Sequence, residues 1–339
     1  MLLRGRAVVS PEHRTRSVVP PLVRILRTAV PFGLLGAVVM TVGCRGGEID
    51  PASIPASGAG PVETSRQAHG GDRLWAPEQV PERDFPLRVY EPLFPGEHAY
   101  DGPTWNENHG EPGESFEAYM SGYRRGTAVR SIHIHPLGKL DRRHADGLEL
   151  LVEYLEIAFA SEVTIRPPLD PPAGSYNTRY GQYDANAILD GMIHSEEVER
   201  IEHLNIAVTS RDMYAGQLAF VFGFADYVHH VGVISLSRLG GEKDAELFRR
   251  RLLKLGRHEV GHMYGMAHCT NPECVMRGTL SRTEMDATPL NLCPSCAAKL
   301  AYRIGDDGRV RNDLLERFYR AHFASYLESR LVGGPLRGH

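Results

Sequence analysis

Residues 257–269 read Arg-His-Glu-Val-Gly-His-Met-Tyr-Gly-Met-Ala-His-Cys. His258 and His262 are four apart, so on a helix their imidazoles leave the same face one turn apart. Glu259 follows the first of them and projects to one side, where its carboxylate can reach a water held by the same ion. Gly265 marks the end of that helix, because glycine takes the left-handed conformation that reverses a chain. The reversal can bring back His268, six residues after His262, as a third nitrogen ligand. Three imidazoles leave the fourth position of a tetrahedral zinc ion open to water, the pattern of a catalytic ion and not of a structural one. An ion held this way moves the pKa of its water from about 15.7 toward about 7, and Glu259 can take the proton as the water attacks a carbonyl. The residues alone therefore point to metal-assisted hydrolysis of a peptide bond.

The five cysteines divide into two groups: Cys44 stands alone, and Cys269, Cys274, Cys293 and Cys296 crowd a short C-terminal stretch. Two close pairs, one of them a CxxC, are the usual framework of a tetrathiolate zinc site. Four thiolates fill every position, so that ion is structural, and it pins the chain just after His268. Two disulfides are the competing reading, favoured if the chain enters an oxidising compartment. The expected cofactors are two Zn2+ ions, one catalytic and one structural.

Taken together, HExxHxxGxxHC, then Cys274-Val-Met276 and the distal Cys293-Pro-Ser-Cys296, resemble the signature of the archaemetzincins, zinc peptidases of the metzincin clan. The segments 211–214 (Arg-Asp-Met-Tyr), 218–225 and 233–238, with Pro136-Leu-Gly138 and Arg179-Tyr-Gly-Gln182, look like further blocks of that family. The likeness spans roughly residues 129–304. It implies a zinc-dependent peptidase, with Met276 as the Met-turn methionine beneath the metal. It also implies a metzincin-like α/β fold: a twisted, mostly parallel sheet with one antiparallel edge strand, an active-site helix and a small C-terminal zinc-stabilised subdomain. By the same analogy the edge lies at residues 218–223, with Leu218, Phe220 and Phe222 as candidates to meet an extended substrate that adds as a strand. Tyr214 and Tyr264 are candidates for an oxyanion site, or for packing.

The elements that must position these residues are legible in outline. Residues 131–135 alternate as a strand and stop before Pro136; His133 and His135 share one face there, as structural or solvent-facing residues. Leu148, Leu151, Val152, Leu155 and Phe159 form a helical stripe opposite Glu149, Glu153 and Glu156. Residues 163–166, 204–209, 218–222 and 231–236 read as strands and 184–194 as a helix. Strands alternating with helices imply a parallel sheet covered on its faces. Asp313 and Glu316 have the spacing of a capping box opening a helix through Arg330. Its stripe (Leu314, Leu315, Phe318, Tyr319, Phe323, Tyr326, Leu327) suits core packing, or a partner.

The rest of the chain says where the domain works. Residues 1–28 carry six arginines and one glutamate, and residues 29–43 are apolar and uncharged. Fifteen residues rise only about 22 Å as a helix, less than a roughly 30 Å hydrocarbon core, so 1–43 reads as a secretory signal peptide. Thr41-Val-Gly-Cys44 resembles a bacterial lipobox, which makes Cys44 a lipidation candidate and the protein an exported, membrane-attached lipoprotein on the periplasmic or extracellular side. A plain secretory signal and an uncleaved N-terminal anchor are the alternatives. Without the leader's six arginines and one glutamate the net charge falls from −4 to −9. So acidic a body argues against nucleic acid as a partner. Residues 44–73 read as a flexible tether and 74–128 as a mostly irregular extension that wraps the catalytic domain, 129–339. The expected partners are a peptide or protein substrate and the membrane, through lipid, with a monomer favoured. A catalytically silent, tethered, zinc-stabilised binding module is the rival function; Glu259 argues against it, since a structural site needs no general base.

Overall fold

The computed structural model describes residues 89–123, 125–126, 129–198, 202–240 and 244–331. The expected leader 1–43, Cys44, the tether 44–73 and residues 74–88 lie outside the described residues. Two short helices, α1 (Trp105–His109) and α2 (Phe116–Gly122), precede strand β1 (Ser131–Leu137) and helix α3 (Arg142–Phe159). Next come β2 (Glu162–Ile165), β3 (Tyr176–Asn177), β4 (Gln182–Asp184), α4 (Ala185–His194), β5 (His203–Thr209), β6 (Met213–Tyr214), β7 (Gly223–Asp226) and β8 (Val231–Ser235). Helices α5 (Ala245–Met263), α6 (Arg282–Ala287), α7 (Pro294–Ile304) and α8 (Arg309–Leu331) complete the chain. Among the described residues, no helix is long and apolar enough to cross a membrane.

The main sheet has the order β2-β1-β5-β8-β7. β1 pairs in parallel with β2 and β5, and β5 with β8; only the edge strand β7 runs antiparallel, against β8. Side chains alternate across it. Ile132, Ile134, Ile206, Val208 and Ile234 enter the layer with α3 and α5, while Leu137, Ala207, Val231 and Val233 enter the layer with Ile188, Leu189 and Met192 of α4. Burial on both faces explains why these strands read as near-continuous apolar runs. His133 and His135 belong to the α4 face and are buried. His133 stacks on His203 at 4.6 Å, and the His135 ring meets Asn205 Oδ1 at 2.9 Å, so both are structural.

α5 is buried along nearly its whole length, charged residues included. One side packs on α3 and the sheet; the other is covered by the segment beginning at Val89 and by the loops around α6. Arg250 pairs with Glu97, Arg251 with Asp286 and Arg257 with Glu91. Phe94, fully buried, lies among Tyr319, Phe323 and Tyr326 of α8, with ring centroids 4.8–5.4 Å away. A phenylalanine buried like this contributes about 1.5–3 kcal/mol. The described part of the N-terminal extension thus shares one core with α5.

Two local expectations are corrected. Residues 218–222 do not form a strand: β7 starts at Gly223, and the preceding segment leaves the sheet to run along the cleft. There Phe220 and Phe222 meet edge to face at 5.3 Å, with the Arg238 guanidinium 4.2 Å over the Phe220 ring. These contacts outweigh the β propensity of the run. Helix α8 begins at Arg309, not at Asp313, which leaves Asp313 exposed inside the helix. Asp307 accepts from the Arg309 amide at 3.0 Å, so the cap lies further upstream. The α8 stripe does pack on the core, and the helix kinks at Phe323 (φ −140°, ψ 27°).

Candidate active site

α5 opens on Asp244, whose carboxylate accepts from the Leu247 amide at 2.9 Å, and closes after Met263. His258 and His262 share its final turns, with their Nε2 atoms 3.0 Å apart. Gly265 takes φ +86°, and the reversed chain brings His268 to ring-centroid distances of 5.3 Å from His258 and 4.8 Å from His262. One nitrogen from each of the three lies within 4.8 Å of the others.

The opposite ring edges explain this convergence. His258 Nδ1 donates to the Val275 carbonyl and His262 Nδ1 to the Met266 carbonyl, each at 2.8 Å. His268 Nδ1 donates to Glu111 Oε2, also at 2.8 Å. All three partners accept at Nδ1, which leaves Nε2 of each ring as the atom facing the centre. Burial, helped by the neighbouring rings, holds His258 down to about 3 and His262 well below the ordinary histidine value. Lone pairs facing each other at 3.0 Å repel unless they share a cation, and neutral nitrogens are what a zinc ion requires. The donor set therefore fits the metal.

Glu259 is buried beside this centre, and burial pushes its carboxyl up to about 8. It packs on the backbone of Gly223, where a Cβ would stand 2.2 Å from Oε1. Glycine at the start of β7 is thus what lets the carboxylate lie under the sheet edge. Met276 lies against Gly261, whose Cβ would come within 2.4 Å of the Met276 sulfur. The Met276 carbonyl also accepts from the Cys269 amide at 2.9 Å, tying the turn to the residue after His268.

Cys269, Cys274, Cys293 and Cys296 have their sulfurs within 4.8 Å of one another, and none is in a disulfide. Cys269 and Cys293 stand 3.8 Å apart, about the edge of a tetrahedron with Zn–S bonds near 2.3 Å. Hydrogen bonds from its three neighbours hold the Cys293 thiol well below the usual range, toward the thiolate that a metal binds. This grouping suits one metal better than two bridges.

A cavity of about 200 Å³ opens beside the histidines. Leu218, Phe220, Phe222 and Gly223 form one wall; Trp105, Lys254, Arg277 and residues 278–280 lie around the others. The first wall is braced by a network that joins three separated sequence blocks. Gln182 donates to the Ala219 carbonyl and to Asp212, both at 2.9 Å, and Arg238 grips Asp212 through two nitrogens at 2.7 and 2.6 Å. Neither tyrosine candidate borders the cavity. Tyr264 packs on Phe159 and meets the Ser161 hydroxyl at 3.1 Å, and Tyr214 accepts from Asn177 on the far side of the small sheet.

Sequence reasoning missed Glu111, Trp105, Lys254 and Arg277. Lys254 could have been found, since it is four residues before His258 on one helix face. No local pattern marks Glu111, which lies 157 residues from His268.

The chain is similar to known proteins over the region that carries this site. The model of peptidase family M54 matches residues 154–302. The archaemetzincin of Archaeoglobus fulgidus is 35% identical over 171 residues, half of this chain and 99% of that protein. That of Methanocaldococcus jannaschii is 34% identical over 144 residues, 41% of this chain and 77% of the relative. Among solved structures, the A. fulgidus archaemetzincin complexed with malonate shares 34% identity with a TM-score of 0.44, covering 50% of this chain and 99% of its own. The Methanopyrus kandleri archaemetzincin shares 27% with a TM-score of 0.45, covering 58% and 98%. At this identity across almost the whole length of a relative, the chain belongs to the archaemetzincins, peptidase family M54, and is a zinc metallopeptidase.

Proposed function

We propose that this chain hydrolyses peptide bonds in an extended peptide or protein substrate, with His258, His262 and His268 holding a catalytic zinc and Glu259 as general base. The observation that carries the reading is the convergence of three imidazole nitrogens beside one buried carboxyl group that borders the cleft. When bound, zinc supplies Lewis-acid chemistry, acidifying a water and polarising the scissile carbonyl. Glu259 takes the proton of the attacking water and hands it to the leaving amine. The outer edge of β7 offers free backbone groups for a substrate strand, and Phe220 and Phe222 line its approach. Met276 fixes α5 from below.

Cys269, Cys274, Cys293 and Cys296 would hold a second, structural zinc, which gives two ions per chain. Support for export comes from the segmentation of residues 1–44. In this reading the chain is a monomeric lipoprotein anchored through Cys44, with its acidic body turned away from nucleic acid.

The test is a comparison of the zinc-loaded protein with Glu259→Ala on a mixed peptide library. Cleavage by the former alone, with the same zinc content in both, is expected; two loaded proteins that both cleave nothing would sink the enzymatic role of this site. A measured stoichiometry of one zinc and no free thiols would remove the second ion. Tritiated palmitate should label the full chain in bacteria and not Cys44→Ser.

A further inference from the structure

One turn before His258, on the same face of α5, Lys254 borders the cavity. Four residues of helix rise about 6 Å, so this ammonium belongs to the stretch of cleft next to the metal centre. The side chain is almost fully buried, and its Nζ donates to the Met285 and Asp286 carbonyls at 3.1 and 3.0 Å. An ammonium has three donors, so one is left over. Two buried neighbouring cations on α5 own a carboxylate each: Arg250 has Glu97 at 2.6 Å and Arg251 has Asp286 at 2.5 Å. Lys254 forms no ion pair with any described residue.

A second cation, Arg277, stands on the same cavity wall. Its nearest acid is Glu284 at 3.6 Å, already engaged by the amides of Trp105 and Leu280 at 2.9 and 2.7 Å. Among the described residues bordering the cavity, the only acid is Glu259. Leu255, Val275, Leu280 and Met285 supply apolar walls between the two cations. An apolar pocket with a few convergent charges is built to fix one polar group of a ligand.

We infer that this part of the cleft is a carboxylate subsite, in which Lys254, assisted by Arg277, receives an acidic side chain or the terminal carboxylate of a bound peptide. The inference rests on the peptidase reading of the site and names its substrate class. Tying α5 to two carbonyls accounts for two donors of Lys254; a substrate carboxylate accounts for the third and gives the ammonium a direct counter-ion. Burial lowers the lysine to about 8, so it is charged at neutral pH and gains from a partner. A neutral isostere of the acid would leave that buried donor unmatched, which is how such sites discriminate.

The probe is a set of N-acetylated, C-amidated alanine–leucine peptides in which one glutamate is walked along the chain, each with its glutamine counterpart. A third arm gives the glutamine peptides a free C-terminal carboxylate. Affinities are measured on the zinc-loaded Glu259→Ala protein, so binding is read without turnover. At one position glutamate, or the terminal carboxylate, should bind about tenfold tighter than its neutral counterpart. The arm that shows the preference identifies the source of the carboxylate. Added Lys254→Met should reduce the preference to within about twofold, and Arg277→Gln, which leaves α5 intact, should reduce it partway. Melting and zinc content check both folds; should Lys254→Met not fold, Arg277→Gln carries the test. No preference in any arm overturns the subsite, as does a preference that survives the variants and so belongs to the metal. Cleavage by the wild type without charge preference defeats only the subsite. Charge-selective binding without any cleavage defeats only the peptidase reading.

Discussion

Glu111 and His268 are 157 residues apart in sequence and joined at 2.8 Å, carboxylate to Nδ1. The other two converging imidazoles rest on backbone carbonyls; this one alone rests on an acidic side chain, and that side chain lies outside the stretch matched by the M54 family model. A carboxylate behind a ligand imidazole fixes its tautomer and raises its basicity.

Removing that support should weaken the ion more than the fold. Glu111→Ala is expected to lower zinc affinity by about 10- to 100-fold in competition with a chelator. Glu111→Gln, which can still accept through its amide oxygen, should fall between. Equal affinities in all three proteins would show that His268 needs no such partner.

Gly223 should tolerate no side chain, because its Cβ would stand 2.2 Å from the Glu259 carboxylate. Gly223→Ala is expected to push Glu259 aside and cut kcat by about 100-fold or more, since displacements near 1 Å cost that much. Zinc content and melting temperature should change little. Unchanged turnover would mean that Glu259 has room to move.

The most destabilising single change among the buried ion pairs should be Glu91→Ala. The Glu91 side chain is fully buried against Arg257 at 2.6 Å and Arg311 at 3.3 Å, and it accepts from the Leu292 amide at 2.8 Å. Without it two buried guanidinium groups lose their shared counter-charge, at a cost of about 3–5 kcal/mol. Urea unfolding of the zinc-loaded protein would read this directly, and a loss below about 1 kcal/mol would contradict it.

Asp212 links stability, pH and the cleft wall. Burial raises its carboxyl, but hydrogen bonds from Arg238 and Gln182 outweigh this and hold it below the ordinary aspartate value. A lowered folded-state value contributes stability above the unfolded value near 3.9, and that contribution fades as pH falls through the lower one. Asp212→Asn should flatten the acid limb of the stability curve. It should also raise KM more than it lowers kcat, because the network holds residues 219–220 and touches no reacting atom. A matching fall in kcat at unchanged KM would reverse that assignment.

The convergence of the histidines and of the cysteines was legible because the residues involved are local in sequence. The spacing of His258, His262, Gly265 and His268 follows from helix geometry and one left-handed turn, and the two cysteine pairs sit within one short stretch. The parallel sheet and α3 were legible for a similar reason, since burial writes a period of its own into each segment. Residues 218–222 were misread because β propensity cannot register a guanidinium stacked on Phe220 or a carboxylate packed under Gly223. The start of α8 was misread because two capping patterns compete and only the packed helix selects Asp307.

By itself, then, the sequence determined which histidines and cysteines come together and the class of chemistry, both encoded in residue type and short spacing. Tertiary structure decided what surrounds them: Glu111 behind His268, Gly223 above Glu259, Lys254 and Arg277 together beside the cleft. Those relationships join residues from 23 to 157 positions apart. Their energies come from burial and charge pairing, which exist only once the core has closed.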